Sequence, residues 1–448
     1  MVNLFARSPG VRKGFPIAPG AFPFFGHLPA AYHGLPELLA RSRAALGPLF
    51  WVKLGPRTWI LVCDGAEGLE LFQSPAFSST HLQQGASLVA GRSLLAQDGE
   101  IHKRMRGAMH RPFQPRGLAA SSALRITARA FTQLAERWLA AGRADVVPDT
   151  QEVALAIIFR LLGVDDADLA SWRRRYRELL LSNLGLDLDL PGSPARRAKR
   201  AGTWIDAQLR TLVARARRRP TDDSLLAALA RGTDEQGRGL ADDELVDNLR
   251  LLILAGHETI SATLAWVALL LGTRPDLWEA LCREVPTDTE TPTTLDDARR
   301  FPFAEALFRE TVRLHPPFSV LTRRTREAVS LHGRRVPART TVAVNLWGVG
   351  RDATVFERPD EARPSRWLGR DRAPSPFEVA QFGGGAHFCL GYHLAWLEAV
   401  QFTVALAQTM RRGGRRPQLR SPMPRAVFVP TEHPLAGAEL HFAASAIP

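Results

Sequence analysis

The sequence predicts a mainly α-helical fold with a smaller β part, and three observations carry that prediction. Apolar residues recur at helical spacing over residues 121–141, 149–163, 167–183, 195–219 and 223–231. The breaks between these runs carry Gly, Pro or Asp, as at Gly142, Gly163, Pro191 and Pro220. Second, residues 241–272 (ADDELVDNLRLLILAGHETISATLAWVALLLG) read as one very long helix. Its middle is apolar all round, so the helix belongs inside the protein. Third, β-like patterning is confined to short runs. PLFWVKLG and TWILVC form a hairpin around Gly55-Pro56, VSLHG and TTVAVNLW follow helices at 274–285 and 302–315, and AVFVPTEHP lies in the tail.

With 448 residues, 45% of them hydrophobic, the chain can build a sizeable core. The absence of repeats, low-complexity tracts and long linkers points to a single domain over residues 1–448. Three widely spaced cysteines cannot make a disulfide framework or a four-cysteine zinc site, and they suit a reducing compartment. The N-terminus lacks both a signal-peptide h-region and a membrane-spanning run, so the expectation is a cytoplasmic protein without a membrane anchor. The formal charge is +13, with arginine clusters in SWRRRYREL, PARRAKRAG, VARARRRP and MRRGGRRPQLR. Few aromatics interleave them and no nucleic-acid motif accompanies them, so an acidic protein partner fits better than nucleic acid.

Four short patterns carry chemistry. FGGGAHFCLG (382–391) sets Cys389 among glycines just before an amphipathic helical run. Glycines there supply positive φ or let a flat object approach the main chain. A cysteine at such a helix start tends towards thiolate. Cys389 is then either a metal or cofactor ligand or a small core residue, the reading that suits Cys63 and Cys282. In the long helix, Ala255-Gly256-His257-Glu258-Thr259 places a glycine and an acid where both cost stability. Either the ladder opens there so that Glu258 and Thr259 can handle protons or water, or Gly256 is a helix contact with the polar residues turned to solvent. Glu310 and Arg313 meet at i,i+3, with Arg366 as a reasonable third member if the pair is buried. His102 and Arg106 stand one helical turn apart, which suits gripping an anion or plain surface charge.

The order and spacing of these patterns (HxxxR, AGxET, ExxR, FxxGxHxCxG) resemble the cytochrome P450 family of haem-thiolate monooxygenases, over essentially the whole chain. The resemblance implies a single-domain P450 fold with haem b between the long central helix and the Cys-loop helix. Cys389 would be the axial ligand of the haem iron, with Phe382 packed near the sulfur and Gly383, Gly385 and Gly391 shaping the loop. Glu258 and Thr259 would be the acid–alcohol pair that delivers the protons consumed when dioxygen is split, with Ala255 and Gly256 facing the haem. His102, Arg106 and His387 would bind haem propionates, as would Arg323, with Arg324 as rival if the register slips. Glu310, Arg313 and Arg366 would be the structural triad. Ser365 stands before Arg366 where an acid is usual, Gln381 precedes Phe382 where proline is frequent, and Ile260 follows Thr259 where a second threonine is common. None of these removes a catalytic group.

The implied activity is insertion of one oxygen atom from O2 into an apolar small molecule, by hydroxylation or epoxidation. A pocket lined by Leu88, Val89, Leu94, Leu95, Leu251, Leu252, Ala255, Phe318, Val320 and Leu321 favours a terpenoid or steroid-like substrate. The chain runs 59 residues past Cys389, too few for a fused reductase, so a separate ferredoxin or flavodoxin and its reductase would supply electrons to what is expected to be a monomer. A peroxide-driven peroxygenase or isomerase, or a non-catalytic haem scaffold, are the alternatives. Retention of Glu258 and Thr259 argues against both.

Overall fold

A computed structural model describes residues 11–12, 14–54, 57–62, 65–85, 91–180, 190–219, 223–369, 374–428 and 431–445. The chain divides into two compact units, Met1–Ser79 with Arg309–Cys389 and Met423–Leu435, and Thr80–Phe308 with Leu390–Pro422 and Ala436–Pro448.

The first unit carries the larger sheet. The expected hairpin forms from Leu49–Leu54 and Arg57–Val62, antiparallel, with Leu49 opposite Val62 and Leu54 opposite Arg57. Strand Thr341–Asn345 runs parallel to Arg57–Val62 and antiparallel to Val320–Thr325, which in turn pairs with Phe77–Ser78. Side chains alternate along these strands. Val320 and Ala343 join Leu35, Leu38, Phe50 and Val52 in one core cluster, whereas Leu321, Val342 and Val344 pack in another. The helix Leu28–Leu46 has no counterpart in the sequence reading, because Gly34 and Pro36 interrupt its periodicity. Gly34 leaves helical angles (φ 171°, ψ 72°), so the Pro36 ring meets no regular preceding turn. Leu35, Leu38 and Leu39 then hold the second half against the sheet.

The second unit is helical. The five predicted runs appear as Ala123–Ala141, Val146–Leu161, Leu169–Leu180, Pro194–Arg217 and Leu225–Arg231. Ser193 and Ser224 cap the last two, their hydroxyls accepting from the amides of Arg196 (3.1 Å) and Ala227 (3.2 Å). The long run forms Asp242–Thr273, packed against Val146–Leu161, Pro194–Arg217 and Tyr392–Arg412. By length and composition this helix could cross a membrane, yet 67% of its most apolar stretch is buried inside the protein. A three-stranded antiparallel sheet of Arg415–Leu419, Glu439–Ala444 and Arg143–Asp145 closes the unit.

Two polar groups sit deep beside Tyr392–Arg412. Gln401 accepts from Thr127 (2.6 Å) and donates to the carbonyls of Leu124 (2.9 Å) and Pro292 (2.7 Å), so its burial is satisfied. Glu398 differs: burial pushes its carboxyl from the usual 4.5 up to about 8. A folded-state value above the unfolded one gives stability that is complete below pH 4.5 and lost as pH rises through about 8. Glu398→Gln is expected to remove that slope and to stabilise the protein at pH 8.5 by a few kcal/mol relative to the parent. Denaturant midpoints at pH 5 and 8.5 measure it; parallel parent and variant curves would show that Glu398 titrates as an ordinary glutamate.

Candidate active site

In the first unit the site is built on the cysteine loop. Ala380–Phe382 and Gly385–His387 are short 3₁₀ turns, and the Cys389 amide donates to the Phe382 carbonyl at 2.8 Å, closing the loop on itself. Phe382 and Phe388 face each other at 6.4 Å. The glycines divide their work. Gly385 has φ +58°, and a Cβ there would lie 2.4 Å from the Phe72 carbonyl oxygen. Gly383 has φ +77° and sits near Leu321 and the His387 carbonyl. Only Gly391, which caps Tyr392–Arg412, has open space where a Cβ would go. Bare backbone at 383 and 385 therefore serves the loop's own turns, and at 391 it leaves a free face. Cys389 is partly exposed, unlike Cys282, which is buried and whose thiol burial pushes up to about 11. Cys63 lies outside the described residues.

Arg323 points inward from its strand and is 6% exposed, its guanidinium 5.2 Å above the Phe72 ring. Arg324 points the other way and donates to the Arg339 carbonyl. Strand alternation thus sends the two arginines to opposite faces of the sheet. The same alternation corrects the pocket assignment: Val320 lies in the core beside Leu35 and Ala343, while Leu321 shares the Arg323 face. Phe318 is half-buried. Phe72 joins Arg323 to the glycine loop, and nothing in its sequence context announces it.

The predicted triad is assembled in the same unit. Glu310 and Arg313 are 0% and 1% exposed. Glu310 accepts five hydrogen bonds: two from Arg313 (2.8 and 2.9 Å), one each from Arg366 (3.1 Å) and Trp367 (2.8 Å), and the Arg363 amide (2.7 Å). Arg313 also donates to the carbonyls of Gly350, Pro359 and Glu361 and lies over Phe356. Burial pushes the Glu310 carboxyl up, but Arg313 and the other donors outweigh it and hold it below its usual value.

In the second unit, Asp242–Thr273 shows two different faces. Leu251, Leu252 and Thr259 are partly uncovered and Ala255 is exposed, a stripe at i, i+4, i+8 on a helix otherwise largely enclosed. His257 and Glu258 are enclosed, 5% and 6% exposed, although Glu258 stands at i,i+3 from Ala255. The Thr259 hydroxyl donates to the Ala255 carbonyl at 2.6 Å, the local competition with the helix ladder that the motif implies. Gly256 is partly uncovered like Leu251 and Leu252, and its Cβ position lies 3.1 Å from Ile158. It is a helix–helix contact, although the polar residues beside it are buried rather than turned to solvent. Glu258 and Thr259 therefore engage separate partners, His257 and the Ala255 carbonyl.

His102 and Arg106 occupy one face of Gly99–His110, His102 buried and Arg106 half-buried. His387 is half-buried on its 3₁₀ turn. Leu94 is buried, Leu95 is 39% exposed, and Leu88 and Val89 lie outside the described residues. The VARARRRP run lines a surface cleft of about 1020 Å³ with Arg129, Arg160, Asp165 and Asp166, and none of the predicted site residues lies in it. Arg215 and Arg217 there end a helix, where cations offset the C-terminal partial charge.

These residues suit a haem. In the first unit a partly exposed soft thiol stands on the glycine loop, and Arg323 and His387 supply a cation and a donor for carboxylates; in the second, taken by itself, His102 and Arg106 offer the same chemistry. Among the described residues no three His, Cys, Asp or Glu side chains come together as a bare metal ion would need.

The comparisons with known proteins agree. The family model Cytochrome P450 matches residues 16–412. The chain is 39% identical to Cytochrome P450 BJ-4 homolog of Sinorhizobium fredii over 97% of both chains. It is 30% identical to cyclooctat-9-en-7-ol 5-monooxygenase of Streptomyces melanosporofaciens over 88% of each, and 29% identical to pentalenene oxygenase of Streptomyces avermitilis over 87% and 89%. Among solved structures, retinoic acid-bound cyanobacterial CYP120A1 superposes with a TM-score of 0.84 at 23% identity, over 96% of this chain and 99% of that one. That last likeness speaks for the fold.

Proposed function

Since the chain belongs to the cytochrome P450 family and is an oxidoreductase of that family, we propose that it inserts one oxygen atom from O2 into an apolar terpenoid. The observation that carries the reading is the loop at Cys389: a partly exposed thiol on a closed glycine turn, preceding a capped helix with open space at Gly391. Haem b, when bound, supplies the iron that activates dioxygen. Cys389 holds it through sulfur, and the loop's hydrogen bond from the Cys389 amide to Phe382 fixes that sulfur's position. Arg323, His102, Arg106 and His387 pair with its carboxylates. Thr259 gives up its bond to the Ala255 carbonyl to pass a proton, and Glu258 replenishes it.

Leu251, Leu252 and Ala255 present the apolar surface to the substrate. The terpenoid class is supported by the relatives named for pentalenene and cyclooctat-9-en-7-ol. Electrons come from a separate ferredoxin or flavodoxin and its reductase, and the +13 charge suits an acidic donor. The protein works in the cytoplasm as a monomer and as one catalytic domain.

Thr259→Ala tests the reading. With electrons supplied through a ferredoxin and reductase, the variant is expected to consume reductant at a rate near the parent's while product falls about tenfold and hydrogen peroxide replaces it. Unchanged product per electron pair would mean that Thr259 moves no proton, and would favour a peroxide-driven enzyme.

A further inference from the structure

Glu258 is not free in its pocket. Its carboxyl oxygen Oε1 lies 3.1 Å from Nδ1 of His257, and both side chains are 7% exposed. The other ring nitrogen, Nε2, lies 3.1 Å from the main-chain carbonyl oxygen of Gln151, on the neighbouring helix Val146–Leu161. A carbonyl oxygen only accepts, so Nε2 carries a hydrogen. The remaining proton then lies on Nδ1 or on Glu258, and among the described residues nothing else bonds Nδ1. The 3.1 Å contact is an ion-pair approach rather than an aligned hydrogen bond, which leaves the carboxyl able to rotate away. Tyr176 closes the pocket with its ring edge-on to the imidazole, 5.4 Å away at 89°. Its hydroxyl is buried and has no hydrogen-bond partner among the described residues. Burial first, and then the Glu258 charge, hold that phenol in its protonated form.

We propose that His257 is a positioning residue that stores one proton for Glu258, on the buried side of the helix face that carries Thr259. The inference rests on the reading of Glu258 as the proton-handling acid. In the loaded pair an imidazolium faces a carboxylate. The Nδ1–H bond breaks, the Oε1–H bond forms, and the imidazole is left neutral with Nε2–H still bonded to Gln151. Glu258 then rotates from the interior and releases the proton towards Thr259. A proton from solvent water reloads Nδ1, so the pair returns to its starting charge with no electron moved. The arrangement separates the store from the delivery face: His257 and Glu258 are enclosed, whereas Thr259 and Ala255 are not.

Two variants separate a proton store from a mere prop. His257→Gln keeps an amide that can donate to the Gln151 carbonyl but cannot carry a transferable proton, and His257→Phe keeps only bulk. Both are expected to lower product formed per electron pair about fivefold or more, with peroxide making up the difference. A His257→Gln protein with parental coupling would overturn the proposal, because a prop is all it retains. A second readout is independent of turnover. In the diamagnetic reduced carbon-monoxide form, ring ¹⁵N shifts of labelled histidine, assigned by loss in His257→Gln, are expected to show a protonated Nε2. A bare Nε2 with a protonated Nδ1 would also overturn it. Thr259→Ala in the same assay keeps the two failures apart. If it uncouples and the His257 variants do not, only the proton store falls; if it too stays coupled, the reading of the acid–alcohol pair falls.

Discussion

Cys389→Ser protein will fold, yet its reduced carbon-monoxide difference spectrum will lack the strongly red-shifted Soret band of the parent, and product formation will fall below detection. The loop explains why folding survives. Its closure runs through main chain, from the Cys389 amide to the Phe382 carbonyl, and through glycines at positive φ, none of which the substitution touches. Serine is nearly isosteric but presents a hard oxygen that stays protonated, so the electron donation a thiolate gives to iron is lost. Cys282→Ser is the matched control. That thiol is buried and pushed up to about 11, and its loss is expected to leave the spectrum unchanged. A parental spectrum in Cys389→Ser would remove the thiolate from the proposed function altogether.

Glu310→Ala is expected to be as damaging, by a different route. The carboxylate anchors five donors from the ExxR helix and the Arg363–Trp367 segment. Without it Arg313, 1% exposed, keeps its charge and its three main-chain carbonyls but loses its counter-ion. Breaking a buried pair from one side costs roughly 3–5 kcal/mol, comparable with the whole stability of many domains. Denaturant unfolding of the first soluble fraction, alongside the haem content of that fraction, measures it. Trp367→Phe, which deletes a single neutral donor to Glu310 and leaves the ion pair, is expected to cost only about 1 kcal/mol. Equal losses in the two variants would show that the charge pairing contributes nothing beyond one hydrogen bond.

Periodicity made the helical half legible almost to the residue, because one buried face per helix leaves a strong pattern. The run read as 195–219 is Pro194–Arg217, and the long run read as 241–272 is Asp242–Thr273. Leu28–Leu46 escaped because its regularity fails at Gly34 and Pro36, and only packing against the sheet holds the two parts in line. In the site, residues joined by short spacing were readable: Glu310 with Arg313, and Gly385 with Cys389. Residues joined through space were not. Phe72 is a phenylalanine like many others until Arg323 lies over it and Gly385 closes on its carbonyl. His257 sat in plain view within AGHET, but its partners Gln151 and Tyr176 come from two other helices. Val320 was misplaced because a pocket list by segment ignores the period of two that a strand imposes.

The division of Asp242–Thr273 into an uncovered stripe and an enclosed ionisable pair also bears on how such a protein changes over generations. Leu251, Leu252 and Ala255 are uncovered to some degree and His257 with Glu258 is enclosed, on a backbone that Gly256 pins to Ile158. Glu258 nevertheless stands at i,i+3 from Ala255 and i,i+7 from Leu251, so a bulkier side chain at 251 or 255 presses on the acid, whereas Leu252 lies well round the helix from it. Under the proposed function, new substrates can be explored by drift at Leu252 while the handling of protons is inherited intact. Changes at Leu251 and Ala255 carry the acid with them.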